Sequence, residues 1–311
     1  MRYRIAVIVF SFLGLFFLVQ CKEKGEEKPE NIKETSVAGF TTILVDETVF
    51  PIVEDLGLVF ENEYKRAKIK LISKPESEIL RLVNENKARI AIMARDLDSS
   101  EVNFYVKRQV NPRRTEFAVD AIAFIAGKNR ADSIIRMDDV ISVMKGQPND
   151  KVKSLVFDNP NSSSVRSLKA VAGVTELSAK SVFSLKTNEE VVKYVAENDG
   201  AIGIIGVNWL LQPSKNLEPY IEKLSVLSVE NVKLNEKERF VKPNQTNIAD
   251  GSYPVTRKLF LLNFQGTAGL GMGFASYIAG DKGQRIILKS GLVPKRFPSR
   301  EIAIRNELEK K

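Results

Sequence analysis

Apolar and polar positions follow two rhythms along this chain, and the rhythms take turns. Residues 40–45 (FTTILV), 67–72, 88–94 (ARIAIMA) and 117–125 read as strands, the last with Asp120 set inside an apolar run. Between them, residues 48–64, 78–86 and 102–108 place apolar side chains near the 3.6-residue period of a helix. Pro51 fits because it falls in the first turn of its helix, where no amide donor is needed. Asp98 to Glu101 (DSSE) forms a capping box ahead of the third of these helices. A second set follows: strands at 154–157, 181–185, 201–207 (AIGIIGV), 224–229 and 259–264, and helices from near Ser164 to 172, at 137–145, 188–198, 270–279 and 282–289. Thr187 to Glu190 (TNEE) is a further capping box, and residues 232–239 are polar, as in a solvated crossing segment. Alternating β and α units predict an α/β fold of two doubly wound lobes with parallel sheets and helices on both faces. Ligands of such folds bind beyond the carboxyl ends of strands, at helix amino ends.

One apolar run stands outside this alternation. Residues 5–18 follow Arg2 and Arg4 and precede Leu18-Val19-Gln20-Cys21, which is the order of a secretory signal. The run is shorter than the ~20 residues that a membrane-spanning helix needs. Cys21 is the only cysteine of the chain. It closes the four residues LVQC, which resemble a bacterial lipobox; the resemblance implies cleavage after residue 20 and a diacylglyceryl group on its sulfur, and the alternative is an ordinary signal with an incidental cysteine. Residues 22–36 are dense in Lys and Glu with no apolar cluster, so they read as a flexible charged tether spanning 21–36. The folded body starts at Val37, about 275 residues, enough for one large or two smaller domains. The expected division is lobe 1 over 37–126 and 245–311, and lobe 2 over 127–244.

Composition narrows the chemistry. There is no histidine, and the one cysteine sits at the tether. Catalytic triads, His bases, His-ligated zinc, Cys nucleophiles and intrachain disulfides are therefore excluded, and neither enzyme activity nor a cofactor is expected. Without the two leader arginines the chain has 45 basic and 39 acidic residues, a mild excess that favours anionic ligands. No basic block interleaved with aromatics marks a nucleic-acid surface.

Three strand-to-helix junctions carry the candidate chemistry. The sequence DNPNSSSVR at 158–166 places Ser162, Ser163, Ser164 and Arg166 around a helix start, a donor-rich set suited to an oxyanion; the alternative is a serine-rich turn with one serine as cap. Asp46, Glu47 and Thr48 form the second junction, where Thr48 either caps its helix or donates to a ligand. At the third, Arg95 either clamps an anion or pairs with Asp96. Trp209 and Tyr220 read as surface or lobe-contact aromatics, with sugar stacking as the alternative.

In ordered landmarks the chain resembles the PstS-like phosphate-binding proteins of ABC transporters, members of the periplasmic binding protein-like group. These landmarks are TTILVDETVFPIVEDL, IAIMARDL, FAVDAIAFIAGKN, NSSSVR, GAIGIIGV, YPVTRKLFLLNF and GFASYIAGDKGQRIILKSGLVP. The resemblance implies a type II fold of two lobes joined by a hinge, with phosphate or a related oxyanion held in the cleft and delivered to ABC permease subunits. It implies Thr48 as a hydroxyl donor, Arg95 as a cleft arginine, Ser162 and Ser164 as donors of a serine-rich loop with Ser163 between them, and Arg166 as its basic residue. Asp46 would accept from a protonated phosphate oxygen. Ala94 and Ser163 depart from the family's Ser and Gly. The implied protein is a monomer outside the cytoplasmic membrane, held there by lipid on Cys21. A non-transporting sensing lipoprotein on the same fold is the alternative.

Overall fold

The computed structural model describes residues 32–299. The expected signal sequence, Cys21 and the tether up to residue 31 lie outside the described residues, as do residues 300–311. Strand β1 (Gly39–Asp46) passes through a 3-10 turn (Glu47–Val49) into helix α1 (Phe50–Glu63). Next come β2 (Ala67–Lys74), α2 (Glu76–Asn84), β3 (Ile90–Met93), α3 (Ser99–Lys107) and the long β4 (Arg113–Gly127). The chain then forms β5 (Ile134–Ile135), α4 (Met137–Met144), β6 (Ser154–Phe157), α5 (Ser163–Ala172), β7 (Val182–Ser184), α6 (Asn188–Glu197) and β8 (Ala201–Gly206). After α7 (Asn208–Leu211) and α8 (Glu218–Ile221), the short strands β9 (Leu224–Val226), β10 (Ser228–Glu230) and β11 (Phe240–Val241) lead to α9 (Gln245–Ala249). The chain continues through β12 (Thr256–Asn263), α10 (Leu270–Ala279), α11 (Asp281–Lys289) and β13 (Val293–Pro294).

The strands join in the order β2-β1-β3-β12-β4-β8-β6-β7, and β4 belongs to both lobes. Its residues from Arg113 to Ala121 pair with β12, and those from Ile122 to Ala126 pair with β8. A second crossing returns through α9, where the Ile122 amide donates to the Val255 carbonyl at 3.0 Å. Two lobes on a shared strand constitute the two-lobed α/β fold that the alternation predicts. The all-parallel expectation is corrected. β1 with β2 and β3, and β6 with β7 and β8, are parallel, but β12 runs antiparallel to β3 and β4, and β4 antiparallel to β8. A parallel neighbour requires a crossover within one lobe; β12 arrives from the other lobe and so enters from the opposite end. The strand expected over 224–229 is also two strands: Leu227 donates to Phe124, and Ser228 then turns to a separate small sheet beside β5.

Parity along β1 builds the first lobe. Ile43 and Val45 face α1 and α10, whereas Leu44 faces the cluster formed with Ile79 of α2 and Tyr105 of α3. Phe60 of α1 meets Phe274 and Tyr277 of α10, each with ring centroids 5.2 Å apart and close to edge-on. The end of the expected tether packs against this helix pair. Glu34 accepts from the Leu270 amide at 2.8 Å, placing a carboxylate at the positive end of α10. The Ser36 carbonyl lies where a side chain on Gly273 would stand.

Among the described residues, no helix is long and apolar enough to cross a membrane.

Candidate binding site between the lobes

β1 delivers Asp46 to the cleft, and Asp46 shapes the turn that follows. Its Oδ1 accepts from the Thr48 amide at 3.0 Å and from the Thr48 hydroxyl at 2.9 Å, a local Asx turn. In the facing lobe β6 ends at Phe157, and Ser162 caps α5 by accepting from the Val165 amide at 3.3 Å. The Ser162 hydroxyl donates to Asp158 Oδ1 at 2.6 Å. Ser163 and Ser164 therefore occupy the first turn of α5, whose leading amides have no partner within the helix.

The two junctions touch. The Thr48 and Ser163 hydroxyl oxygens lie 2.9 Å apart across the lobe boundary. A guanidinium fixes them: Arg257 Nη1 donates to Thr48 at 3.2 Å, to Ser163 at 2.9 Å and to Ser164 at 3.5 Å. Arg257 stands opposite Asp120 in the β12–β4 ladder, and its Nη2 pairs with the Asp120 carboxylate. All of these side chains are buried. Asn208 adds a further tie by donating from Nδ2 to the Thr48 carbonyl at 2.8 Å. A Cβ on Gly206 would come within 2.4 Å of that same carbonyl, so the lobes close only because position 206 lacks a side chain.

Acidic groups outnumber cations at the boundary. Burial pushes the Asp46 carboxyl up; Glu76 adds to the shift and Arg257 opposes it. Glu47 is pushed up to about 8, first by burial and then by the neighbouring Asp158. Asp158 rises to about 6 through burial, against the hydrogen bond from Ser162. Burial also raises Asp120, with Arg257 pulling the other way. Among the described residues, the buried polar atoms of this site without a partner include Asp46 Oδ2, Asp120 Oδ1, Asn208 Oδ1 and Arg257 Nε. The boundary thus offers hydroxyl donors, one guanidinium and acceptors for a protonated ligand atom. Among the described residues no cluster of His, Cys, Asp and Glu is arranged to hold a metal ion.

Of the residues singled out in the sequence, Asp46, Thr48, Ser163 and Ser164 come together around Arg257. Ser162 sits beside them with its hydroxyl turned to Asp158. Arg95 and Arg166 stand at the rim, both held by the buried Glu76 at the start of α2. Arg95 Nε reaches Glu76 at 2.9 Å and Arg166 Nε reaches it at 2.6 Å; Arg95 also grips Glu101 through two bonds of 2.7 Å. The alternative pairing of Arg95 with Asp96 takes another form, a bond from Nη1 to the Asp96 carbonyl at 2.8 Å. Sequence reasoning missed Arg257, Asn188, Asn208 and Glu76. Half a signal existed for the first: Asp120 is a charge set in the otherwise apolar run FAVDAIAFI, a mark of a buried pair, but Arg257 stands between Thr256 and Lys258.

The chain belongs to the PBP superfamily, whose domain matches residues 31–282. Among curated proteins, no match to the chain was found. Solved structures are widely similar in fold. A candidate phosphate ABC transporter substrate-binding protein of Clostridium perfringens, solved with bound phosphate, is 19% identical with a TM-score of 0.67, over 83% of this chain and 100% of that one. An ABC-type phosphate transport receptor of Vibrio cholerae is 17% identical with a TM-score of 0.61, over 82% and 100%. The regulatory domain of OxyR2 from Vibrio vulnificus, in reduced form, is 13% identical with a TM-score of 0.52, over 79% and 99%. At these identities the similarity establishes the two-lobed fold.

Proposed function

We propose that this protein is an extracytoplasmic solute-binding lipoprotein, anchored through Cys21, that captures phosphate or a similar oxyanion between its lobes for an ABC importer. One observation carries the reading: hydroxyls from opposite lobes, Thr48 and Ser163, converge on the same buried guanidinium. An oxyanion drawn into that position would take bonds from Thr48, Ser163, Ser164, Arg257 and the leading amides of α5. Asp46 Oδ2, buried without a donor, suits a protonated ligand oxygen. Arg95 and Arg166 serve as rim cations that Glu76 keeps in place, and Ser162 orders the loop. The 2.9 Å contact between Thr48 and Ser163 leaves no room for an anion, so the solute enters as the lobes part and then separates these hydroxyls. The role is binding without chemistry, by a monomer, with the permease and the lipid as its other partners.

Thermal unfolding of the full chain with millimolar phosphate, sulfate or molybdate tests this. A ligand at 100-fold its Kd stabilises by ~2.7 kcal/mol. The expected result is a raised Tm with phosphate and loss of that rise in Ser164→Ala and Arg257→Lys. No rise with any oxyanion would sink the reading.

A further inference from the structure

The lobes also meet through a carboxyl group that lies outside the hydroxyl set and the Arg257–Asp120 pair. Glu47, in the turn after β1, reaches across to the first residue of α6. Its Oε1 accepts from the Asn188 amide at 3.0 Å, and its Oε2 accepts from Asn188 Nδ2. The amino end of a helix suits an acceptor there, because its leading amides lack partners. The orientation of the Asn188 side chain is fixed by the other lobe's own backbone: the Gly206 amide donates to Asn188 Oδ1 at 3.2 Å, which turns Nδ2 toward the carboxyls. Nδ2 also reaches Asp158 Oδ2 at 3.2 Å. One amide group thus bridges two carboxyls from different lobes.

The surrounding charges sharpen the arrangement. Asp46 on β1 and Asp158 after β6 are acidic neighbours of Glu47. Arg257 pairs with Asp120, and its charge also pulls the Asp46 and Asp158 carboxyls down, against their burial. On α6, Glu190 accepts from the Lys186 amide at 2.8 Å and Glu189 from the Ser214 hydroxyl at 3.4 Å. Glu76 is occupied by Arg95 and Arg166. Among the described residues no cation bonds to Glu47 or Asp158. Two ionised carboxyls around one amide repel, and a single proton relieves them.

We propose that Glu47 is a proton-gated latch: carrying a proton it lets the Glu47–Asn188–Asp158 bridge hold the lobes closed, and ionised it repels Asp158 and lets them part. The latch operates whichever solute the cleft takes, and its test is separate from solute binding. In an open cleft Glu47 is solvated and returns to its ordinary value near 4.5; closed, it is pushed up to about 8. Closure therefore takes up a proton between these values. Its contribution is complete at the acid end and is lost as pH rises through about 8.

The chain supplies its own reporter. Trp209 is the only tryptophan, and it lines a cavity with Phe50 and Asp55 of the first lobe. Its emission should follow the seam. The experiment titrates the full chain from about pH 5.5 to about 9, recording Trp209 emission, radius of gyration by small-angle scattering and far-ultraviolet circular dichroism. The expected result is a red shift and an expansion with a midpoint at or below about 8, at constant secondary structure. Glu47→Gln, which cannot ionise, should abolish the transition, and Asp158→Asn should abolish it or move it to higher pH, because ionised Glu47 then has no charge to repel. A wild-type chain with no transition overturns the proposal. So does a Glu47→Gln chain that keeps the wild-type midpoint, or, should that variant not fold, an unmoved midpoint in Asp158→Asn.

Discussion

At the scale of single residues, the candidate site divides into positions defined by their immediate neighbours and positions defined by distant ones. Asp46, Thr48 and the three serines were legible because junctions between a strand and a helix leave a local signature: a turn-forming carboxylate, a cap, a run of hydroxyls. Arg257 was not, because its role depends on Asp120, which lies 137 positions away in sequence. Apolar surroundings hint at such a pair but do not say which strands will be neighbours. Gly206 is a third kind of position. Its φ is unexceptional, and only the approach of the Thr48 carbonyl from the other lobe makes the missing side chain matter. Gly206→Ala should therefore disturb closure more than folding. The expected cost is about 1–3 kcal/mol, the usual range for overfilling a tight contact. Crystallography of the variant, or a larger radius of gyration at neutral pH, would show the lobes held apart; an unchanged closed form would count against the steric argument.

Individual elements were read well where one helix or strand carries its own signal. The capping box at Asp98 is realised in full: Asp98 accepts from the Glu101 amide and Glu101 accepts from the Asp98 amide. The one at Thr187 is half realised, since Glu190 reaches past Thr187 to the Lys186 amide. What the pattern could not convey is pairing. An apolar run announces a strand but not its neighbours, so the antiparallel insertion of β12 and the split at Leu227 were illegible. The contact of α1 with α10 belongs to the same class, because its aromatic cluster joins residues from opposite ends of the chain. Phe60→Ala should lower stability by about 3–5 kcal/mol through the cavity it leaves. Chemical denaturation monitored by circular dichroism measures that loss. A cost below ~1 kcal/mol would mean that the cluster contributes little to holding the two helices together.

For the whole molecule, the excess of buried carboxyls couples folding to pH. Asp158 illustrates the sign. Its folded value is raised from 3.8 to about 6, so the folded state holds a proton that the unfolded chain has released over that interval. Its stabilising contribution is present below the lower value and is lost as pH rises through the upper one. Relative to Asp158→Asn, the wild type should lose stability as pH rises across this interval and level off beyond it. Parallel denaturation series for the two proteins give the difference directly; a gap that does not change with pH would show that Asp158 binds its proton equally in the folded and unfolded chain. The two-lobed plan at this scale was legible from alternation and from the resemblance to a known family. The seam was not, since it consists of contacts between residues that no local pattern relates.

Strand β4 gives that seam a particular mechanical character. The strand passes unbroken from the pairing of one lobe to the pairing of the other, at Ala121 and Ile122. Opening can then be a twist along a continuous ribbon, which leaves both ladders intact and breaks no backbone bond. The balance between rest positions is set by the few side chains that face one another across the gap. A protein built this way can have its resting posture retuned by one or two surface-lobe substitutions, as a torsion spring is reset by moving its stop, while the body that must fold stays the same.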